Sequence, residues 1–167
     1  MADTITESDT NEETEEKLIT EIPESYPKFE VRGSDIHGKG VYALEDIKKG
    51  VVITEYVGEA IDKKECDIRA NEYEKEGHTM IFELEDGSCL DGKNGGNDSV
   101  YMNHSCDPNC ESDYFQNRVF VVAIRDIKEG DELYYDYAFD KDDEHVPCRC
   151  GSEKCRGVIN DLEEDEE

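Results

Sequence analysis

The chain has 167 residues, with 18 Lys and Arg against 45 Asp and Glu and a formal net charge of −27. That length suits one domain with a real core and excludes two independent catalytic domains. The charge excludes nucleic acid as an electrostatically favoured partner, because phosphate recognition needs clustered Lys and Arg, and it favours a cationic one.

The acid is concentrated at the ends. Residues 1–25 hold nine acidic residues and one Lys, and residues 161–167 hold six acidic residues. Both ends read as self-repelling disordered tails that either solvate the chain or attract a basic substrate. No stretch approaches the ~18 apolar residues of a membrane span, and the N-terminus is too acidic for a secretory signal. The chain therefore reads as intracellular, with no membrane contact. In that setting its seven cysteines are expected to be thiols or metal ligands rather than a disulfide framework.

After Pro27, short β-rich segments separated by glycines take over. KFEVRG (28–33) and GVYAL (40–44) are predicted strands. VVITEYVG (51–58) alternates, with Val52, Thr54 and Tyr56 on one face and Val51, Ile53 and Glu55 on the other. DKKECDIRANEYEKEG (62–77) is the one convincing helix: Asp62 caps it, charged helix formers fill it and Gly77 stops it. HTMIFELEDG (78–87) and RVFVVAI (118–124) are further strands. ALEDIKKG (43–50) and AIRDIKEG (123–130) agree at five of eight positions. Each reads as a strand leaving the core, a short turn closed by glycine, and re-entry into the next strand. The predicted fold class is mainly β, many short strands in several small sheets with one short helix.

Chemistry is concentrated in two places. YMNHSCDPNC (101–110) gathers Asn103, His104, Ser105, Cys106, Asp107, Asn109 and Cys110 around one proline. CRCGSEKC (148–155) has the spacing C-x-C-x4-C, which supplies three thiolates where a closed tetrahedral zinc site takes four ligands. Cys106, Cys110, His104 and His145 are the candidates for the fourth. A structural zinc tying the two stretches together would let so loop-like and charged a C-terminal segment fold. Cys66 and Cys89, isolated on a helix and a strand, read as buried packing.

HGKGVYA (37–43), EYVGE (55–59), NHSCDPNC (103–110), DELYYDYAFD (131–140) and CRCGSEKCRG (148–157), in this order, resemble SET-domain protein-lysine methyltransferases with a post-SET zinc segment, of the trithorax/Set histone H3 type. The resemblance covers roughly residues 28–160. It implies an acidic tail over 1–27, a SET domain over 28–140, a post-SET zinc segment over 141–160 and an acidic tail over 161–167. The implied fold has three small antiparallel sheets and a knot-like crossing of the segment around 103–106 against that around 132–137, which general rules of chain threading would not suggest.

The resemblance also implies roles. The backbone around His37, Lys39 and Gly40 would receive S-adenosylmethionine, Asn103 and His104 would hold its adenine end, and Ile159 would pack on the adenine. Met80, where many relatives carry Tyr, belongs to the same cofactor-binding set. Cys106, Cys148, Cys150 and Cys155 would bind one structural Zn2+. Tyr137 would be the catalytic tyrosine, with Tyr56 lining the lysine channel and Tyr135 at a position that switches between Tyr and Phe in the family. Relatives commonly have Arg-Phe-Ile or Arg-Phe-Phe where this chain has Val100, Tyr101 and Met102, and Lys39 stands as the substitute positive charge. Tyr134 replaces a common Thr.

The implied reaction is methyl transfer to the neutral side-chain amine of lysine in a basic, histone-like protein, held in line with the departing sulfur. Tyr135 points to mainly mono- or dimethylation. The implied partner is a basic peptide, with no direct nucleic-acid contact and a monomeric chain. The implied location is the nucleus or chromatin in a eukaryote, and otherwise the cytoplasm or secretion into a host. The competing reading is an acidic binding module or histone chaperone on a SET scaffold without turnover.

Overall fold

The computed structural model describes residues 17–35, 38–76 and 80–162. His37 and Gly77 lie outside the described residues, as do the outer parts of both acidic ends. In chain order the elements are β1 (Phe29–Gly33), β2 (Lys39–Ala43), β3 (Val52–Tyr56), β4 (Glu59–Ile61), helix α1 (Lys63–Lys75), β5 (Ile81–Glu83) and β6 (Cys89–Asp91). A short 3-10 helix (Asp98–Tyr101) precedes β7 (Asn103–His104), β8 (Cys110–Phe115), β9 (Arg118–Ala123) and β10 (Glu132–Tyr135). Among the described residues they form three small sheets, ordered β1-β2-β10-β7, β3-β9-β8 and β4-β6-β5.

The mainly β expectation is met, with strands shorter than predicted. Asp62 caps α1 as expected, its carboxylate accepting the Glu65 N–H at 2.9 Å. The strand predicted over 78–87 ends at Glu83, because Asp86 accepts the Ser88 N–H at 2.9 Å and Gly87 takes a φ of 85°. That turn folds the chain back into β6, which pairs with β5. The segments expected to cross lie side by side: β7 and β10 run parallel, Asn103 beside Tyr134 and His104 beside Tyr135.

β9 shows how the sequence period becomes a core. Val121 and Ala123 face the main cluster with Val41, Ile53, Leu133 and Tyr135. Phe120 and Val122 face the other way, where Ile19 covers them. Each buried aliphatic of this kind contributes about 1.5–3 kcal/mol of transfer free energy. Part of the expected N-terminal tail is therefore docked: Ile19 is 1% exposed, and the Leu18 and Ile19 N–H groups donate to Asp113 at 2.9 and 3.1 Å. Val52 joins this second cluster and Ile53 the first, so both faces of β3 are covered.

The two echo segments pair with each other. Ile47 and Ile127 exchange backbone hydrogen bonds at 2.8 and 2.7 Å. Asp126 accepts the Lys49 N–H and Asp46 accepts the Glu129 N–H, each at 2.9 Å. Gly50 donates to Ala123 and Gly130 to Ala43, each at 2.8 Å.

One cysteine expectation is corrected. Cys66 and Cys89 are buried, as packing residues would be, but they form a disulfide that joins α1 to β6. The partners lie on elements brought together only by the sheet order, which sequence spacing does not reveal. The same contact is reinforced by Arg69 and Tyr73 of α1, which donate to the buried Asp91 carboxylate at 2.8 and 3.0 Å.

Candidate active site

The parallel pairing of β7 with β10 brings the Asn-His-Ser-Cys stretch against the tyrosine-rich strand, and the C-terminal segment closes over both. Cys106 leaves β7 and meets Cys148, Cys150 and Cys155, the four sulfur atoms lying within 4.8 Å of one another. Cys106 and Cys148 Sγ are 3.7 Å apart, against about 3.8 Å for the edge of a thiolate tetrahedron with ~2.3 Å metal bonds. The four can therefore hold one metal ion. Of the other candidates for the fourth position, Cys110 is buried with its thiol donating to Asn109, and His145 bonds the Lys141 carbonyl. Burial opposes ionisation of Cys150, but the N–H groups of Cys106 and Ser152 outweigh it and bring its thiol down to about 7. A thiolate is the form that a metal takes.

Beside the cysteines lies a cavity of about 350 Å³ whose lining includes Asn103, His104, Tyr137, Cys148 and Ile159. Asn103 is 1% exposed, and its amide donates to the Lys39 carbonyl at 2.7 Å and to Glu132 at 3.0 Å. It thereby ties β7 to the entry of β2. At Gly40 a Cβ would collide with the Glu132 carboxylate and displace it from Asn103, and Gly38 has a φ of 53°. Lys39 Nζ lies 5.0 Å from the centre of the Tyr101 ring, a cation–π contact. Met80 presents its carbonyl to the Gly92 N–H at 2.7 Å. Desolvation lowers His104 to about 4 against the pull of Asp136, so its ring is neutral. Nδ1 accepts the Tyr137 N–H at 3.0 Å.

A second, larger cavity of about 880 Å³ has Phe82, Ser112, Tyr114, Tyr135 and the same Tyr137 in its wall. Tyr137 lines both cavities. Its hydroxyl donates to the Met102 carbonyl, and its ring lies 5.0 Å from that of Tyr135 and 5.4 Å from His104. The Tyr135 hydroxyl has no hydrogen-bond partner among the described residues, although the residue is only 3% exposed. Tyr56 is fully buried behind this wall, donating to the Met80 carbonyl at 2.7 Å and packing edge-on to Phe82 at 4.7 Å. Burial raises all three phenols, with Tyr135 adding to the rise at Tyr56 and Tyr137 and Tyr114 to that at Tyr135. All three are neutral at physiological pH. They can hold an amine by hydrogen bonds, and they offer no negative charge that would keep it protonated.

Sequence reasoning assigned no role to Asp136, Arg156 or Tyr114. Arg156 meets Asp136 at 2.7 and 2.9 Å through both carboxylate oxygens. Their places in the chain, Asp136 between two tyrosines and Arg156 directly after the last cysteine, do not reveal this pairing, which spans 20 residues.

Residues 38–138, more than half of the chain, match the family described as "SET domain". The chain is 39% identical over 132 residues to the protein named "Histone-lysine N-methyltransferase trithorax" of Drosophila virilis, covering 76% of this chain and 3% of that protein. It is 39% identical over 139 residues to "Histone-lysine N-methyltransferase set1" of Dictyostelium discoideum, covering 80% and 9%. A third relative, "Histone-lysine N-methyltransferase, H3 lysine-4 specific" of Chaetomium globosum, is 36% identical over 136 residues, covering 76% and 13%. The chain thus spans a small fraction of the length of the curated relatives it matches.

Proposed function

The chain belongs to the SET-domain family, and from that premise we propose that it transfers methyl groups from S-adenosylmethionine to the side-chain amine of lysine in a basic, histone-like polypeptide. The observation that carries this reading is that Tyr137 lines both cavities. A donor in one cavity and a lysine in the other would meet at that ring, as an in-line displacement needs.

The 350 Å³ cavity suits the donor. Its wall combines the apolar Ile159 with the polar Asn103 and His104, a mixture that fits a nucleoside with a charged tail. S-adenosylmethionine supplies an activated methyl group on a sulfonium. The chain's own residues then do three things. Tyr137 and the carbonyl of Met102 present oxygen atoms at the meeting point. The aromatic wall strips water from the incoming amine, which favours its neutral, nucleophilic form. Tyr135 offers its hydroxyl to that amine or to a water beside it. Cys106, Cys148, Cys150 and Cys155 would hold one Zn2+ with a structural role, fixing the C-terminal wall of the donor site.

The substrate reading rests on charge and on the relatives' names. A −27 chain attracts basic peptides, and chromatin is where a histone substrate would be met in a eukaryote. No helix among the described residues is long and apolar enough to cross a membrane. The competing reading, a binding module without turnover, is not favoured, because the relatives are named as enzymes.

The test is incubation with labelled S-adenosylmethionine and core histones. Label in lysine is expected, and Tyr137→Phe should lower kcat by about 10²-fold or more while donor affinity stays within a few-fold. A Phe variant as active as the parent chain would overturn the role of Tyr137, and failure of the parent chain to label any basic protein would overturn the reading.

A further inference from the structure

Tyr137 sits in a turn that the chain does not adopt by preference. The next residue, Ala138, has a φ of 45°, a left-handed conformation that a residue with a Cβ adopts at a cost and keeps only where surroundings enforce it. The enforcing contact is local: Asp136 Oδ1 accepts the Ala138 N–H at 2.8 Å, closing an Asx-type turn over Tyr137. Asp136 in turn is held from outside. Arg156 Nη1 and Nη2 reach its two carboxylate oxygens at 2.7 and 2.9 Å, while Nε donates to the Asn160 carbonyl at 2.7 Å and Nη2 also to that of Ile159. Burial alone would raise the Asp136 carboxyl, but Arg156 and the Ala138 N–H outweigh it and hold it below the usual carboxylate range.

One guanidinium therefore grips the turn that carries Tyr137 and, with the same fork, the backbone that places Ile159 in the donor cavity. We infer that Arg156 is a positioning residue for the methyl transfer, acting through Asp136 to hold Tyr137 in its strained turn. This rests on the activity proposed above. The bidentate geometry is what a planar fork supplies and a lysine ammonium does not. Arg156 follows Cys155 in the chain, so the clamp makes the Tyr137 turn depend on the order of the cysteine segment.

The experiment compares metal-loaded full-length protein with Arg156→Ala, using two readouts. The first is independent of catalysis: hydrogen exchange at the Ala138 amide, whose protection should fall at least tenfold. The second is kinetic: kcat should fall at least tenfold while KM for the peptide changes less than threefold. Because a smaller folded fraction would also lower apparent kcat at unchanged KM, kcat is normalised to the folded fraction read by circular dichroism. Exchange at Ala138 is compared with that of the β9 amides, which only a global loss of stability would raise equally. Adding Ala138→Gly to Arg156→Ala should recover kcat at least threefold over the single variant, because glycine adopts the turn without the clamp. Should Arg156→Ala fail to fold or lose metal, Asp136→Asn decides, since it keeps an acceptor for the Ala138 N–H and removes the charge that Arg156 grips. A kcat loss of fivefold or more at unchanged metal content supports the clamp. A smaller loss, or unchanged Ala138 exchange in Arg156→Ala, overturns it. If the parent protein transfers no methyl group at all, the proposed activity fails, while the exchange measurement still decides whether Arg156 holds the turn.

Discussion

Tyr135 is buried at 3% exposure, yet its hydroxyl meets only the space of the larger cavity. No buried side-chain polar atom among the described residues lacks a partner, so this hydroxyl is open to the cavity, where an amine or a water can take its hydrogen bond. An amine held there, or a water beside it, occupies the room that a first methyl group needs if the nitrogen is to turn its lone pair back toward the donor. Transfer is therefore expected to stop mainly at one methyl group with some dimethylation, and Tyr135→Phe should shift the products toward di- and trimethyl-lysine without abolishing the first transfer. Mass spectrometry under multiple turnover reads this directly, and an unchanged product distribution would count against it. Tyr114 shares the cavity wall, so Tyr114→Phe is the control that shows whether the limit lies there instead. At this scale much was readable in advance. Cys148, Cys150 and Cys155 share one contiguous motif, Cys106 belongs to another, and Tyr134, Tyr135 and Tyr137 fall in a third, whereas Tyr114 and Arg156 acquire meaning only through partners many residues away.

The paired echo segments show what an element contributes that its residues do not announce. The repeat between 43–50 and 123–130 is visible in the letters, but its reason is mutual. Each aspartate accepts an N–H from the other segment, and each isoleucine packs at the joint, both 2% exposed. Ile127→Ala is expected to cost about 2–5 kcal/mol. Combining it with Ile47→Ala should cost less than the two single effects together, because the contact between them is lost only once. Urea unfolding midpoints at constant slope measure both quantities, and full additivity would show that the segments do not act as a pair. The same distance effect explains what the sequence concealed elsewhere. β6, β8 and β10 carry polar residues and are defined by the partners they pair with, and the Cys66–Cys89 link depends on α1 docking against β6. The continuous apolar run of β9 and the capped α1 needed no such context and were legible from local pattern alone.

For the molecule as a whole, the charge and the N-terminal segment have to be considered together. Simple solvation would leave the acidic end dispensable, but the chain from Leu18 onward is part of the fold, with Ile19 on Phe120 and Val122 and Asp113 holding its backbone. Trimming through residue 25 would therefore uncover β9 and lower stability, while trimming residues 1–16 removes seven of the 45 acidic residues and leaves that contact in place. If the −27 charge draws basic substrates in, the apparent KM for a histone-like peptide should rise with salt as the Debye length falls from ~10 Å at 0.1 M to ~3 Å at 1 M. The shorter chain should show a weaker dependence, with kcat nearly unchanged, because steering acts on encounter rather than on the transfer at Tyr137. The two proteins compared across a salt series separate the cases. A KM that ignores salt in the full chain would leave its acidic end with a solvating role only. A dependence that survives trimming would place the attraction on the folded body, whose larger cavity carries Glu83 and Glu111 in its wall.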